Sequence, residues 1–242
     1  MHTILTQGAY VLHSRLYRET SLIVEFVTET HGRVSVIAKG VRAPKAKARG
    51  LLQPFVPLLI SCVGRGELLT LKSFESNGPV LNLQGKRLIS GFYMNELLMR
   101  LLHKYDPHPV LFNHYQQTLQ ALEKEAQEQP ALRAFEKFLL KELGYELQLI
   151  KEAETGHLIE EDHWYLFDPE RGPLWVDSSQ WSTEYKNTPK KTQGLFKGKS
   201  LLALAAGQLD EPSILGDAKR LLRQALGVHL GVKPLESRKL LI

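Results

Sequence analysis

The fold of the first part of the chain is decided by the stretch Ser21–Ala38, SLIVEFVTETHGRVSVIA. Val24 and Phe26 fall on one face of an extended chain, and Val34 and Val36 do the same further along. Such period-two runs of β-branched and aromatic residues indicate strands. The intervening residues 29–32, Glu-Thr-His-Gly, are typical of a hairpin turn. The stretch therefore predicts two antiparallel strands.

Three further strands are predicted on either side of this hairpin. One covers Ala9–Tyr17, and the other two cover Phe55–Val63 and Leu68–Lys72, joined by a turn at Gly64–Glu67. About five short strands within some 75 residues bury a core only if the sheet closes on itself. We therefore expect a small barrel. The OB-fold is the five-stranded barrel that binds single strands, although an SH3-like barrel fits the strand count nearly as well.

Beyond Asn77-Gly78-Pro79 the apolar residues recur at helical spacing. The pattern predicts five helices and, within an irregular stretch at 145–185, a hairpin at Asp168–Pro173. The predicted helices cover Ile89–Tyr105, Val110–Lys124, Pro130–Leu143, Ser200–Gly207 and Ser213–Leu230. The expected class is α+β with more than one domain. Residues 1–78 would form the barrel domain, and residues 79–242 a mainly helical domain with a hairpin insertion near 145–185.

Positive charge is concentrated at the amino terminus. The chain has 242 residues and a formal net charge of +5. Its first fifty residues hold eight Lys and Arg against three Glu, whereas acidic and basic residues balance over the remainder. The densest part is the basic segment, 39–50, which contains five cations and no anion. Charge asymmetry of this kind indicates a polyanionic partner, although a solvated charge run is the alternative.

Composition excludes several classes of protein. The single cysteine, Cys62, rules out an intrachain disulfide and a zinc site built on cysteine pairs. No run of residues reaches the length of about 18 apolar residues typical of a membrane span. The first residues, Met1-His2-Thr3-Ile4, lack the pattern of a signal peptide. We expect a soluble, intracellular protein.

No catalytic motif is complete. The stretch Gly194–Ser200 resembles a phosphate-binding loop, but three residues rather than four separate its glycines, and no hydrophobic strand precedes it. Ser200 is instead expected to cap the helix that follows. The acidic and histidine residues of 157–163 match no helical zinc spacing. We therefore predict a protein that is not an enzyme.

Ten segments of the chain, in order, resemble RecO, the bacterial family of recombination mediators in DNA repair. The resemblance spans nearly the full length, and its specificity lies in the order and spacing of the segments. They are residues 12–15, 19–22, 28–33, 38–42, 49–55, 64–68, 93–98, 130–136, 143–145 and 231–238.

The resemblance implies an OB-fold followed by a helical domain, and a function in the RecF pathway of DNA recombination. RecO-like proteins bind single- and double-stranded DNA and anneal complementary strands. They engage the acidic tail of single-strand-binding protein, and with RecR they help to load RecA. The resemblance also implies no cofactor and a cytoplasmic, nucleoid-associated location. Many members carry a four-cysteine zinc site. Because this chain has only Cys62, we predict that it binds no metal.

The predicted interaction sites follow from the basic segment and from this resemblance. Arg133, beside apolar neighbours on the third helix, is predicted to receive the carboxylate of the single-strand-binding protein tail. A second candidate face for this tail has Lys219, Arg220 and Arg223 on the last long helix, and its alternatives are an extension of the DNA site and a solvated surface. Tyr17 is predicted to stack on a base. The predicted phosphate contacts are Arg15, Arg33, Lys39, Arg42, Lys45, Lys47 and Arg49.

Two other functions stay open at this point. A basic OB-fold adaptor for RNA has the same charge pattern, and only competition between DNA and RNA separates the two. A nucleotide-dependent enzyme would use Gly198-Lys199-Ser200, and it requires ATP binding that depends on Lys199.

Overall fold

The computed structural model describes residues 2–43, 50–124, 128–177 and 194–237. The chain forms two compact units. The first comprises Met1–Glu128 together with Lys233–Ile242, and the second comprises Gln129–Val232. The predicted division at residue 78 stays a prediction.

The first unit contains a closed barrel of five strands in the order β1-β2-β3-β5-β4. Its pairs are antiparallel except for β3 and β5, which run parallel. This barrel confirms the predicted α+β class and its OB-type amino-terminal part. The strands are β1 (His2–Tyr17), β2 (Ser21–Thr28), β3 (Gly32–Ala38), β4 (Leu58–Gly64) and β5 (Leu68–Ser76).

Strand β1 closes the barrel because it pairs with β2 along one part and with β4 along another. At 16 residues it is longer than a usual strand, and register shifts at Ile4/Gln7 and Val11/His13 interrupt its pairing. Such irregularities bend a strand and increase its twist, which barrel closure requires. The side chains of Val24, Phe26 and Val36 are fully buried inside the barrel, as the period-two pattern predicted.

Two helices complete the described core of the first unit: α1 (Gly85–Leu101) and α2 (Pro109–Leu122). The buried amide of Asn95 donates to the carbonyls of Val11 (3.3 Å) and Leu12 (3.1 Å), and Tyr115 Oη donates to Asn95 Oδ1 at 2.6 Å. Burial of Tyr115 is the main cause, and the nearby Tyr10 a smaller one, of a Tyr115 pKa well above its ordinary value. This network joins both helices to β1 at its second register shift.

Helix α1 ends earlier than the sequence predicted. The apolar stripe continues to Tyr105, but the helix stops at Leu101. Tyr105 adopts a left-handed backbone conformation with φ +60°. Its N–H donates to the Arg33 carbonyl at 3.0 Å, and its hydroxyl donates to the Glu67 carbonyl at 2.9 Å. Hydrogen bonds to the barrel therefore replace the last helical turn.

The second unit combines helices with a small sheet. Its helices are α3 (Glu128–Glu142), α4 (Gly198–Ala206) and α5 (Pro212–Leu230), and its strands are β6 (Trp164–Asp168), β7 (Gly172–Val176) and β8 (Leu195–Lys197), in the order β7-β6-β8. The predicted hairpin is confirmed as β6–β7. Asp168 Oδ1 accepts bonds from the N–H groups of Glu170 and Arg171 and so fixes its turn. In the part of the chain that the structure describes, no helix has the length and apolarity needed to cross a membrane.

Candidate nucleic-acid interface

An open groove of about 830 Å³ lies at one end of the barrel, where the β1–β2 turn faces the end of β3. We call it the turn groove. Among the described residues, two cations, an aromatic ring and one acidic residue, Glu19, line it. The lining residues are Tyr17, Arg18, Glu19, Thr20, Ser21, Ile37, Lys39 and Gly40.

The β1–β2 turn has an unusual conformation at Arg18. This residue has φ +52°, a left-handed geometry that arginine seldom adopts. Its guanidinium carbon lies 5.2 Å from the centroid of the Tyr17 ring, within the range of a cation–π contact. Two bonds from Arg42 hold the turn. Its N–H donates to the Thr20 carbonyl at 2.9 Å, and Nη1 donates to the Arg18 carbonyl at 3.3 Å.

The basic segment, 39–50, starts at the edge of this groove and is anchored to the barrel on both sides. Val41 is 8% exposed and belongs to the barrel core. Leu52, just beyond the segment, is 5% exposed and packs in the same core. The predicted contacts Lys45, Lys47 and Arg49 lie outside the described residues. Val41 and Leu52, which flank these three residues in sequence, both pack in the barrel core.

The structure brings several predicted contacts together around the turn groove. Tyr17 and Lys39 line it, and Arg42 is bonded to its turn. Arg15 lies two residues before Tyr17 on the same side of β1, paired with Ile23 of β2. Arg15 and Lys39 are exposed, and within the described ranges neither forms an ion pair. Together with Arg18, these cations outnumber Glu19, the acidic residue that lines the groove.

Arg33 lies away from this site, at the opposite end of β3 from Lys39. Six residues of extended chain separate the two, which is about 20 Å. Arg33 forms an ion pair with Glu25 (3.4 Å), and its Nε donates to the Leu102 carbonyl (3.2 Å). Its guanidinium is therefore engaged within the first unit, so the geometry favours a structural role over the predicted DNA contact.

Arg133, the predicted receptor for a carboxylate, is buried and paired with an acidic residue. It is 4% exposed, and its Nη2 lies 2.8 Å from Glu136 Oε1 on the same helix. Glu136 is 2% exposed. An incoming carboxylate would have to compete with this buried acidic residue. The tail-binding role of Arg133 stays a prediction, and its surroundings do not favour it.

Among the cations that line the turn groove, Arg18 was missed by sequence reasoning. The sequence contained a signal that could have identified Arg18, because this cation directly follows the aromatic Tyr17 where β1 enters the short turn Arg18–Thr20. Of the aromatic residues of the barrel, Tyr10, Phe26 and Phe55 are buried, whereas Tyr17 and Phe74 are half-buried.

The groups considered for catalysis have other partners. Lys199 Nζ lies 2.7 Å from Glu211 Oε1, and Ser200 Oγ donates to Asp217 Oδ2 at 2.7 Å. The expected cap at Ser200 is therefore wrong, because the serine lies inside α4 and bonds α5. Burial raises the pKa of Cys62 to about 12. Among the described residues, no three His, Cys, Asp or Glu side chains cluster as metal ligands would.

Known proteins resemble this chain over nearly its whole length. A family model described as Recombination protein O N terminal matches residues 1–79, and one described as Recombination protein O C terminal matches residues 82–239. The DNA repair protein RecO of Nitrosococcus oceani is 47% identical over 239 residues, which is 98% of this chain and 93% of the relative. Its counterpart in Coxiella burnetii is 43% identical over 98% of both chains. That of Pseudomonas entomophila is 45% identical, covering 97% of this chain and 96% of its own.

Proposed function

The chain belongs to the RecO family of DNA repair proteins, and from this premise we propose that it binds DNA at the turn groove and the adjoining basic segment. The observation that carries the proposal is the convergence of Arg15, Arg18 and Lys39 at one end of the barrel without ion-pair partners in the described chain. Arg42 and the start of the basic segment adjoin them.

Cations in this arrangement suit a phosphate backbone. Lys and Arg that neutralise phosphates release condensed counterions, so affinity falls as salt rises. If four or five cations contact phosphate, the log–log slope against salt is about −3 to −4. Phosphate contacts carry little sequence information. The binding should therefore tolerate any sequence and be strong only at low salt.

We further propose that the protein acts as a mediator without chemistry of its own. It would bind single- and double-stranded DNA and anneal complementary strands. With RecR and the tail of single-strand-binding protein it would promote loading of RecA. Family membership supports this part of the proposal, and the names of the relatives refer to DNA repair and to no catalytic activity.

The test is charge reversal at the groove in the full chain. Lys39→Glu with Arg42→Glu should weaken the binding of a fluorescent oligothymidine by at least about tenfold, and should make the salt slope shallower by about 1.4 because two phosphate contacts are lost. Binding is measured by fluorescence anisotropy across a salt series.

The matched control is Arg65→Glu with Lys124→Glu, which changes net charge equally. Arg65 lies in the β4–β5 turn, on the side where Tyr105 contacts the barrel, and Lys124 follows α2; both are exposed. The control should bind as the wild type does. Equal losses in the two variants would show that overall charge, rather than the turn groove, governs binding. Annealing of complementary oligonucleotides should likewise be slower with Lys39→Glu plus Arg42→Glu than with the wild type, and unchanged in the control variant.

A further inference from the structure

Arg18 holds a position that phosphate binding alone does not explain, and the following inference rests on the proposed DNA-binding function. We propose that the Arg18 guanidinium, supported from below by the Tyr17 ring, is a stacking platform for an unpaired base. In this role Arg18 makes the turn groove selective for single-stranded over double-stranded DNA.

The first observation is the immediate environment of the guanidinium. Arg18 is exposed, and it forms no ion pair within the ranges that the structure describes. Its guanidinium carbon lies 5.2 Å from the centroid of the half-buried Tyr17 ring. The aromatic ring therefore supports the cation from one side, and the groove leaves it accessible from another.

The second observation is the backbone that presents this side chain. A non-glycine residue at φ +52° is strained, and the conformation persists only where the surrounding structure imposes it. Here the Arg42 side chain donates to the Arg18 carbonyl, and the Arg42 N–H donates to Thr20. The first residues of the basic segment thus hold the turn that directs Arg18 into the groove.

Stacking distinguishes single strands from duplexes, whereas phosphate contacts do not. A planar guanidinium and an aromatic ring both stack on exposed base faces. In a duplex those faces are covered by neighbouring base pairs. A contribution from Arg18 stacking would therefore add to the affinity for single strands only, while Lys39 would attract both forms equally.

The decisive variant is Arg18→Lys in the full chain, because lysine keeps the charge but loses the planar group. Its affinity for oligothymidine should fall at least about fivefold, the lower bound for loss of one stacked base. Its affinity for a duplex of the same length and its salt slope should stay at the wild-type values. Tyr17→Leu should shift the ratio of the two affinities in the same direction.

Two outcomes would overturn the inference. Wild-type affinity of Arg18→Lys for oligothymidine would show that only charge matters at this position. Equal losses for oligothymidine and duplex would assign Arg18 to phosphate. The side chain is exposed and both residues meet the same left-handed strain, so Arg18→Lys should fold, which circular dichroism checks. If instead the protein does not bind DNA at the turn groove at all, Lys39→Glu with Arg42→Glu leaves the binding of both oligothymidine and duplex unchanged.

Discussion

Arg133 and Glu136 form an ion pair that is almost completely buried, with side chains 5% and 3% exposed. Removal of one partner from such a pair leaves the other charged and desolvated, which typically costs about 3–5 kcal/mol. We predict that Arg133→Ala destabilises the protein by about 3 kcal/mol, and that Arg133→Ala with Glu136→Ala recovers part of this loss. Urea unfolding of the two single variants and the double variant measures the coupling.

The same variants test whether Arg133 receives a partner's carboxylate. An acidic peptide that ends in apolar residues should bind the folded Arg133→Ala variant as it binds the wild type. If Arg133→Ala instead kept its stability and lost the peptide, the predicted receptor role would be correct and the structural role of Arg133 would be refuted.

Glu152 is a second buried carboxylate, and hydrogen bonds from four donors stabilise it. Burial would raise its pKa, but donors outweigh this effect and lower the pKa to about 2. The donors are Thr155 Oγ1 and the N–H groups of Thr155, Glu154 and Trp175. Because the folded-state pKa lies below the ordinary value of 4.5, the stabilisation is fully present above about pH 5 and is lost as the pH falls toward 2.

We therefore predict that Glu152→Gln lowers the free energy of unfolding by about 1–3 kcal/mol at pH 7. The difference from the wild type should shrink as the pH falls below 4.5, because the unfolded wild-type chain then binds a proton at Glu152 while the folded chain stays ionised until about pH 2. Urea unfolding at pH 7 and pH 4 measures both. Glu161→Gln, at an exposed position, is the control, and a difference that did not depend on pH would contradict the linkage.

Among the elements, β1 depends on a residue of α1. The register shift at Val11/His13 takes carbonyls out of the regular ladder, and the Asn95 amide donates to those of Val11 and Leu12. Buried carbonyls without donors are costly. Asn95→Leu should therefore destabilise the first unit by about 2–4 kcal/mol, and Tyr115→Phe, which removes one bond to Asn95, by about 1 kcal/mol. Thermal unfolding compares both with the exposed control Asn113→Ala. Equal effects of Asn95→Leu and Asn113→Ala would refute this role.

The elements also show what local sequence could and could not predict. Period-two patterns identified the barrel strands because each inward side chain is buried by its own sheet. The end of α1 was misplaced because the bonds of Tyr105 to Arg33 and Glu67 cross from one element to another. No local pattern encodes such contacts. Strand β8, only three residues long, is too short for a periodic signal.

The residues of the candidate site also fall into those that local sequence could predict and those that depend on tertiary contacts. Lys39 and Arg42 were identified from charge density, and the structure places them at the turn groove. Arg33 has the same charge, but the register of β2 and β3 places it diagonally opposite Glu25, with which it forms an ion pair. This pairing becomes apparent only when the strand register is known. The left-handed turn at Arg18 depends on bonds from Arg42, twenty-four residues along the chain. Charge and composition therefore indicate the candidate site, whereas the geometry of the Tyr17–Arg18 contact requires the tertiary structure.

At the scale of the whole molecule, the chain leaves the first unit after Glu128 and returns to it at Lys233. Helix α1 holds the returning segment. Glu96 carboxylate oxygens accept from the N–H groups of Glu236 (2.8 Å) and Ser237 (2.9 Å), and from Ser237 Oγ at 2.7 Å. Arg100 Nη2 donates to the Lys233 carbonyl at 2.6 Å. Leu235, between these contacts, is 2% exposed.

These bonds predict that Glu96 retains the carboxyl-terminal segment in the first unit. Glu96→Ala should remove three hydrogen bonds to a carboxylate, lower the free energy of unfolding by about 1–3 kcal/mol and speed amide hydrogen exchange at Glu236 and Ser237. The control is Glu75→Ala on β5, where the carboxylate is exposed. Exchange at these two amides is the decisive measurement, because it reports release of the segment directly. Protection that persisted in Glu96→Ala would show that burial of Leu235 alone is sufficient to hold the segment in place.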